Sequence, residues 1–179
     1  MRGFARRAWR HVVHALAVTG ALFLVYHGFF EVARVTSGSM APLLRGPEDG
    51  PPDRILAETC FTAGAAPRRF AVVLAETRDG EVVVKRVVGL PGEGVSLSRE
   101  GGLLIDGAPV ALPEGVARYL PFGNLRGGLV HRVPEGHVYL MGDETRDSQD
   151  SRFEGTFPIE RVRGRVLARV WPPGRAGAL

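Results

Sequence analysis

The chain has 179 residues, a formal net charge of +4 and a single cysteine, Cys60. That length holds one domain, or one domain with an appendage, and is enough to bury a real core. A lone cysteine excludes an intrachain disulfide and a cysteine-based metal site, and the basic residues do not interleave with aromatics as a nucleic-acid surface requires. No metal, cofactor or nucleic-acid partner is therefore expected, and Cys60 reads as a small buried apolar residue.

Arg2, Arg6, Arg7 and Arg10 fall in the first ten residues without an acid among them. Residues 12–30 then carry no Lys, Arg, Asp or Glu. At ~1.5 Å per residue such a helix crosses most of a ~30 Å hydrocarbon core. Trp9, Tyr26, Phe29 and Phe30 sit near its ends, where amphipathic rings favour the interface. The basic start places the N-terminus in the cytoplasm. The expected layout is a basic tail at 1–10, a single transmembrane anchor at 11–30 and an extracytoplasmic domain at 31–179. A cleaved secretory signal fits less well, because Glu31-Val32-Ala33-Arg34 is a poor small-x-small cleavage site.

Beyond residue 31 the pattern is mainly β. Val-rich runs at 70–75, 81–88, 95–97, 103–105 and 137–141 are bounded by Gly, Pro and Asp. Asp79-Gly80 and Asp106-Gly107 each separate two such runs, a hairpin signal, and 98–101 is another turn. Arg161, Arg163, Arg165 and Arg169 alternate with Val162, Val166 and Val170, which reads as a strand with an arginine-bearing solvent face. Segments 46–53 and 113–136 read as loops. Many short strands with turns predict a compact antiparallel, barrel-like β domain behind the anchor.

Only one of the 23 basic residues is a lysine, Lys85. It lies in Val82-Val83-Val84-Lys85-Arg86-Val87-Val88, an apolar setting that predicts burial. Burial can lower a lysine pKa by up to ~3–5 units, which makes a general base, whereas arginine keeps its proton. A serine hydroxyl becomes a useful nucleophile once such a base takes its proton. Serines occur in Ser37-Gly38-Ser39-Met40-Ala41-Pro42 and in a polar turn, Met141-Gly142-Asp143-Glu144-Thr145-Arg146-Asp147-Ser148-Gln149-Asp150-Ser151-Arg152. No GxSxG elbow surrounds Ser39. A Ser-His-Asp triad through His131 or His137 stays open from the residues alone.

Taken in order, the anchor, Ser-Gly-Ser-Met-x-Pro, Val-Lys-Arg-Val-x-Gly-Leu-Pro-Gly and Gly-Asp-x-x-x-x-Ser-x-Asp-Ser-Arg resemble the bacterial type I signal peptidases (leader peptidases) over most of the chain. The resemblance implies a Ser/Lys-dyad serine endopeptidase, with Ser39 as nucleophile and Lys85 as general base. It implies an oxyanion hole from the Ser37 hydroxyl and the Ser39 N–H, and Ser148 orienting the lysine amine. Asp150 and Arg152 would brace that turn, and Met40 and Leu44 would line the pocket for the small residue before the cut. The implied substrates are signal peptides of exported pre-proteins, cut after an Ala-x-Ala-like pattern at the bacterial inner membrane. The implied partners are the lipid bilayer and the secretion machinery, and no cofactor is implied. Glu144-Thr145 stand where relatives usually have Asn-Arg, Leu43 where Thr is usual, and Glu93 where Asp is usual, which bears on sub-family and substrate range. Two alternatives follow: a pilin-processing peptidase of conjugative transfer with the same dyad, and an inactive membrane-anchored β module. The second would have lost Ser39, Lys85 or Ser148, and all three are present.

Overall fold

The computed structural model describes residues 2–59 and 67–179, with side chains described from residue 9 onward. Cys60 lies outside the described residues, so its expected burial has no counterpart here. Helix α1 (Arg2–Phe29) begins nine residues before the expected anchor boundary, because nothing in the arginine-rich start breaks a helix. Its stretch Trp9–Phe29 is 21 residues long, apolar, and unburied by the rest of the chain. That length is ~31 Å of helix, the thickness of a bilayer core. Phe30 already belongs to strand β1 (Phe30–Arg34), so helix and strand join without a loop.

The remaining strands are β2 (Arg54–Glu58), β3 (Val72–Glu76), β4 (Val82–Gly89), β5 (Gly94–Leu97), β6 (Leu103–Ile105), β7 (Ala108–Val110), β8 (His131–Arg132), β9 (His137–Met141), β10 (Phe157–Pro158), β11 (Val162–Trp171) and β12 (Gly177–Ala178). Their pairings are antiparallel. Among the described residues the larger sheet runs β1-β2-β11-β3-β4-β9-β10, with β12 on β11; the smaller runs β7-β6-β5-β8. The larger sheet is an open path ending at β1 and β10, a half-barrel. Asp106 and Gly107 both have positive φ, 48° and 81°, and this pair makes the β6–β7 hairpin predicted from Asp-Gly.

β1 and β2 escaped the sequence reading because Phe30-Glu31-Val32-Ala33-Arg34 and Arg54-Ile55-Leu56-Ala57-Glu58 are short and carry charges at their ends. The arginine face of β11 is also more mixed than expected. Val162, Gly164 and Val166 are buried and Arg163 is exposed, as alternation requires. Register shifts between Val166 and Ala168, and again between Arg169 and Trp171, then break the alternation. Arg169 consequently turns inward and donates to the Leu43 carbonyl at 2.6 Å. Segment 113–136, expected to be a loop, carries a 3-10 turn at Gly123–Gly128 and the short strand β8, which pairs with β5. It is not merely surface, since Val116, Tyr119, Leu125 and Val133 enter the core beside β5, β6 and β9.

Candidate active site

Ser39 sits on the turn that follows β1. Ala41 N donates to Gly38 O at 2.9 Å and Leu44 N to Met40 O at 2.9 Å. The turn is held by its two large apolar side chains. Met40 and Leu44 are fully buried against Val35, Ile55, Ala57, Val72, Leu74 and Val166, worth roughly 1.5–3 kcal/mol each. Gly46 lets the next loop lie against it: a Cβ there would fall 2.5 Å from the Ser37 backbone carbon. Asp53 fastens that loop, accepting from Arg45 N and from Arg175 Nη1, both at 2.9 Å.

Lys85 reaches the turn from the middle of β4. Its Nζ lies 2.7 Å from Ser39 Oγ, and the residue is only 3% exposed. Among the described residues this is its one hydrogen bond. Burial lowers the Lys85 pKa from its ordinary value. The carboxylates of Asp150, Glu154 and Asp147 push it back up, and Arg152 pushes it down. The net direction is downward, as a base requires. Ser37 Oγ donates to Ser39 Oγ at 3.2 Å. The Ser39 backbone N–H has no acceptor among the described residues.

The polar turn closes the site from the far side. Glu144 N donates to the Ser39 carbonyl at 3.0 Å. At Gly142 a Cβ would fall 2.3 Å from Ser148 Oγ and 2.5 Å from Ser39 O, so only glycine lets the two serine segments meet. The Ser148 hydroxyl donates to Asp150 Oδ2 at 2.7 Å, not to the Lys85 amine that the resemblance had it orient. Asp150 and Arg152 do pair, through Nε–Oδ1 at 2.9 Å and Nη2–Oδ2 at 2.8 Å, with both side chains sealed from solvent.

A cleft of about 270 Å³ leads to the dyad. Ala33 of β1 and Val35 just after it form one wall, Val82, Val83 and Val84 of β4 the other, with Met40 and Leu74 also lining it. Met40, expected to line a substrate pocket, lies in the wall of this cleft. Leu44 stays in the core behind it and does not line the cleft. β9 pairs with β4 only from Arg86 onward, and β1 ends its sheet. Among the described residues, unpaired backbone edges therefore flank both sides of the cleft.

Neither histidine joins the site. His137 Nδ1 contacts Glu135 O, and His131 packs its ring on Tyr139; Ser39 is paired with Lys85 instead. Three further groups went unassigned in the sequence. Arg86 makes a buried two-pronged bond to Asp143 at 2.7 and 2.6 Å, which ties β4 to the polar turn one residue from Lys85. Asp53 fastens the loop beside the serine turn. Thr145 Oγ1 accepts from Arg152 Nη1 at 2.7 Å and from Leu120 N at 2.8 Å. Among the described residues no cluster of His, Cys, Asp and Glu is arranged to hold a metal ion.

The profile of the family described as "Signal peptidase, peptidase S26" matches residues 8–171. A signal peptidase I of Leptolyngbya laminosa is 30% identical over 177 residues, covering 93% of this chain and 82% of that one. A mitochondrial ATP-independent inner membrane protease subunit 1a of Arabidopsis thaliana is 29% identical over 180 residues, covering 99% and 92%. A crystal structure of a signal peptidase I from Enterococcus faecalis V583 matches with a TM-score of 0.47 at 28% identity, covering 56% of this chain and 97% of that one.

Proposed function

This chain belongs to the signal peptidase, peptidase S26, family, and we propose that it removes signal peptides from exported pre-proteins with Ser39 as nucleophile and Lys85 as general base. The observation that carries the assignment of roles is the 2.7 Å contact between Ser39 Oγ and the buried Lys85 Nζ. A buried ammonium facing a neutral hydroxyl has no counter-charge in contact, so the amine gives up its proton more readily than in water.

In the neutral state the Ser39 hydroxyl donates to the Nζ lone pair. As Oγ attacks the scissile carbonyl carbon, its proton passes to Nζ. The Ser37 hydroxyl and the Ser39 N–H hold the oxyanion that develops. Collapse breaks the C–N bond, and the Lys85 ammonium protonates the departing amine. Water then attacks the acyl-ester with Lys85 again taking the proton, the bond from carbon to Oγ breaks, and Ser39 regains its hydrogen. Asp150 and Arg152 hold the turn that carries Ser148 and Gly142 against Ser39.

The substrate segment enters extended and adds its backbone to the open edges of β1 and β4. Apolar walls of Val, Ala, Met and Leu beside the dyad suit small residues before the cut. The apolar helix anchors the chain in the bacterial inner membrane, with residues 1–10 in the cytoplasm and 31–179 outside. The bilayer and the secretion machinery are then its neighbours. Because β1 follows α1 directly, the catalytic turn stays close to where a signal peptide leaves the membrane.

The test uses the full chain in detergent micelles with a precursor bearing an Ala-x-Ala cleavage site. Ser39→Ala and Lys85→Arg are each expected to leave the precursor uncut while the protein stays folded. Wild-type cleavage by Lys85→Arg would sink the general-base role, since arginine cannot deprotonate.

A further inference from the structure

We propose that Glu31 is a specificity-determining residue: it makes the anchor-side end of the cleft favour a cationic residue five or seven places before the cut and reject an acidic one. The inference rests on the reading of the cleft as the substrate channel.

Strand alternation puts Glu31 and Ala33 on one face of β1, with Val35 following just past its end, and all three line the cleft. Val35 is buried and Ala33 packs on the same cluster, so the end near the dyad is apolar. Glu31 lies at the other end, one residue after the first residue of β1. Among the described residues lining the cleft it is the only carboxylate. Exposed Glu81 directly precedes Val82, the first residue of β4 and part of the opposite wall.

Two cations share the neighbourhood. Arg34 is exposed and borders the cleft. Arg163 Nη2 stands 3.6 Å from Glu31 Oε2, with 45% of its side chain exposed. That separation exceeds a hydrogen bond, and an exposed pair of this kind contributes little. A substrate cation can therefore take its place on the carboxylate.

The position along the substrate follows from direction and parity. A signal peptide enters from the membrane, so its residues before the cut run parallel to β1, from Glu31 toward Ser37 and Ser39. Glu31 precedes Ser37 by six residues, about 20 Å of extended chain at ~3.3 Å each. Side chains on the cleft-facing side of the substrate recur every second residue. The first and third positions before the cut share that side with the fifth and seventh, and the last two reach Glu31.

The experiment measures kcat/KM of the full chain in detergent micelles. The substrates are peptides with Lys, Gln or Asp placed in turn at the fourth to eighth positions before an Ala-x-Ala cut. The Lys-to-Asp ratio is expected to reach about two- to fivefold at position five or seven, the scale of one exposed charge pair, and to stay near one at the even positions. Glu31→Gln should bring the ratio to one, Glu31→Lys should invert it, and Arg163→Ala should enlarge it. A ratio near one at every position in the wild type overturns the proposal, as does an unchanged ratio in the Glu31 variants. If those variants fail to fold, the wild-type scan and Arg163→Ala decide. The Gln peptides separate the two readings: no cleavage of any of them overturns the functional reading and this one together, whereas cleavage indifferent to charge overturns this one alone.

Discussion

Replacing Asp150 with Asn tests how much of the site depends on one buried carboxylate. Asp150 Oδ1 accepts from Arg152 N and Nε at 3.1 and 2.9 Å. Its Oδ2 accepts from Ser148 Oγ, Gly142 N and Arg152 Nη2 at 2.7, 3.0 and 2.8 Å. Asparagine keeps the shape, but turns an NH2 toward some of these donors and leaves the sealed guanidinium without its counter-charge. Removing one partner of a buried pair costs about 3–5 kcal/mol. For a domain of this size that is a fall in Tm of roughly 6–20 °C, at about 2–4 °C per kcal/mol. The assay is thermal unfolding of the full chain in detergent micelles, followed by near-UV circular dichroism. The double variant Asp150→Asn/Arg152→Met should recover much of the loss, because it removes the stranded charge as well. A Tm change under about 2 °C in the single variant, less than 1 kcal/mol by the same conversion, would refute the bracing role.

Lys85→Met should abolish cleavage and raise stability at neutral pH. The folded state holds the Lys85 pKa below its ordinary value, so it binds fewer protons than the unfolded chain between the lowered pKa and ~10.4. Wild-type stability therefore climbs through that window, and the advantage of Lys85→Met should shrink as pH rises, which urea titrations at several pH values would show. Glu154→Gln removes a charge that raises the Lys85 pKa, so the rising limb of kcat/KM against pH should move to lower pH; a shift to higher pH would contradict the placement of that carboxylate. Gly142→Ala, whose Cβ would fall 2.3 Å from Ser148 Oγ and 2.5 Å from Ser39 O, should lower kcat at least about 10²-fold, the cost of a ~1 Å misplacement. Wild-type kcat would mean the two segments can part without loss.

The strands legible in the sequence were those with a long apolar run or a decisive turn. β6 and β9 fall where expected, and β4 is displaced by one residue. β1 and β2 were not legible, because β1 is identified as a strand by pairing with β2, and β2 by pairing with β1 and β11, a tertiary fact. In the site, Ser39 and Lys85 could be named from motif resemblance and from burial inferred from flanking valines. The partner of Ser148 could not, since Asp150 and the Lys85 amine are both plausible acceptors until the turn is folded. Leu44 was misplaced for a similar reason. It follows Met40 by four residues on one turn, and only the packing shows that one reaches the cleft and the other the core.

Lys85 and its neighbour Arg86 show why the choice of cation is not interchangeable at this strand. Adjacent residues of β4 point to opposite faces, and both cations are buried. Arg86 meets a carboxylate with two matched bonds and a third contact to the Phe70 carbonyl at 2.8 Å, so its permanent charge is satisfied. Lys85 meets a single hydroxyl, which cannot compensate an ammonium taken out of water. An arginine at position 85 would have to keep its charge in that setting, or displace Ser39 to find a partner. A lysine can instead shed its proton, and the neutral amine it leaves is the group that serine activation needs. Under the proposed dyad mechanism, the single lysine in this arginine-rich chain therefore occupies a position where the absence, among the described residues, of a charged partner in contact serves the chemistry.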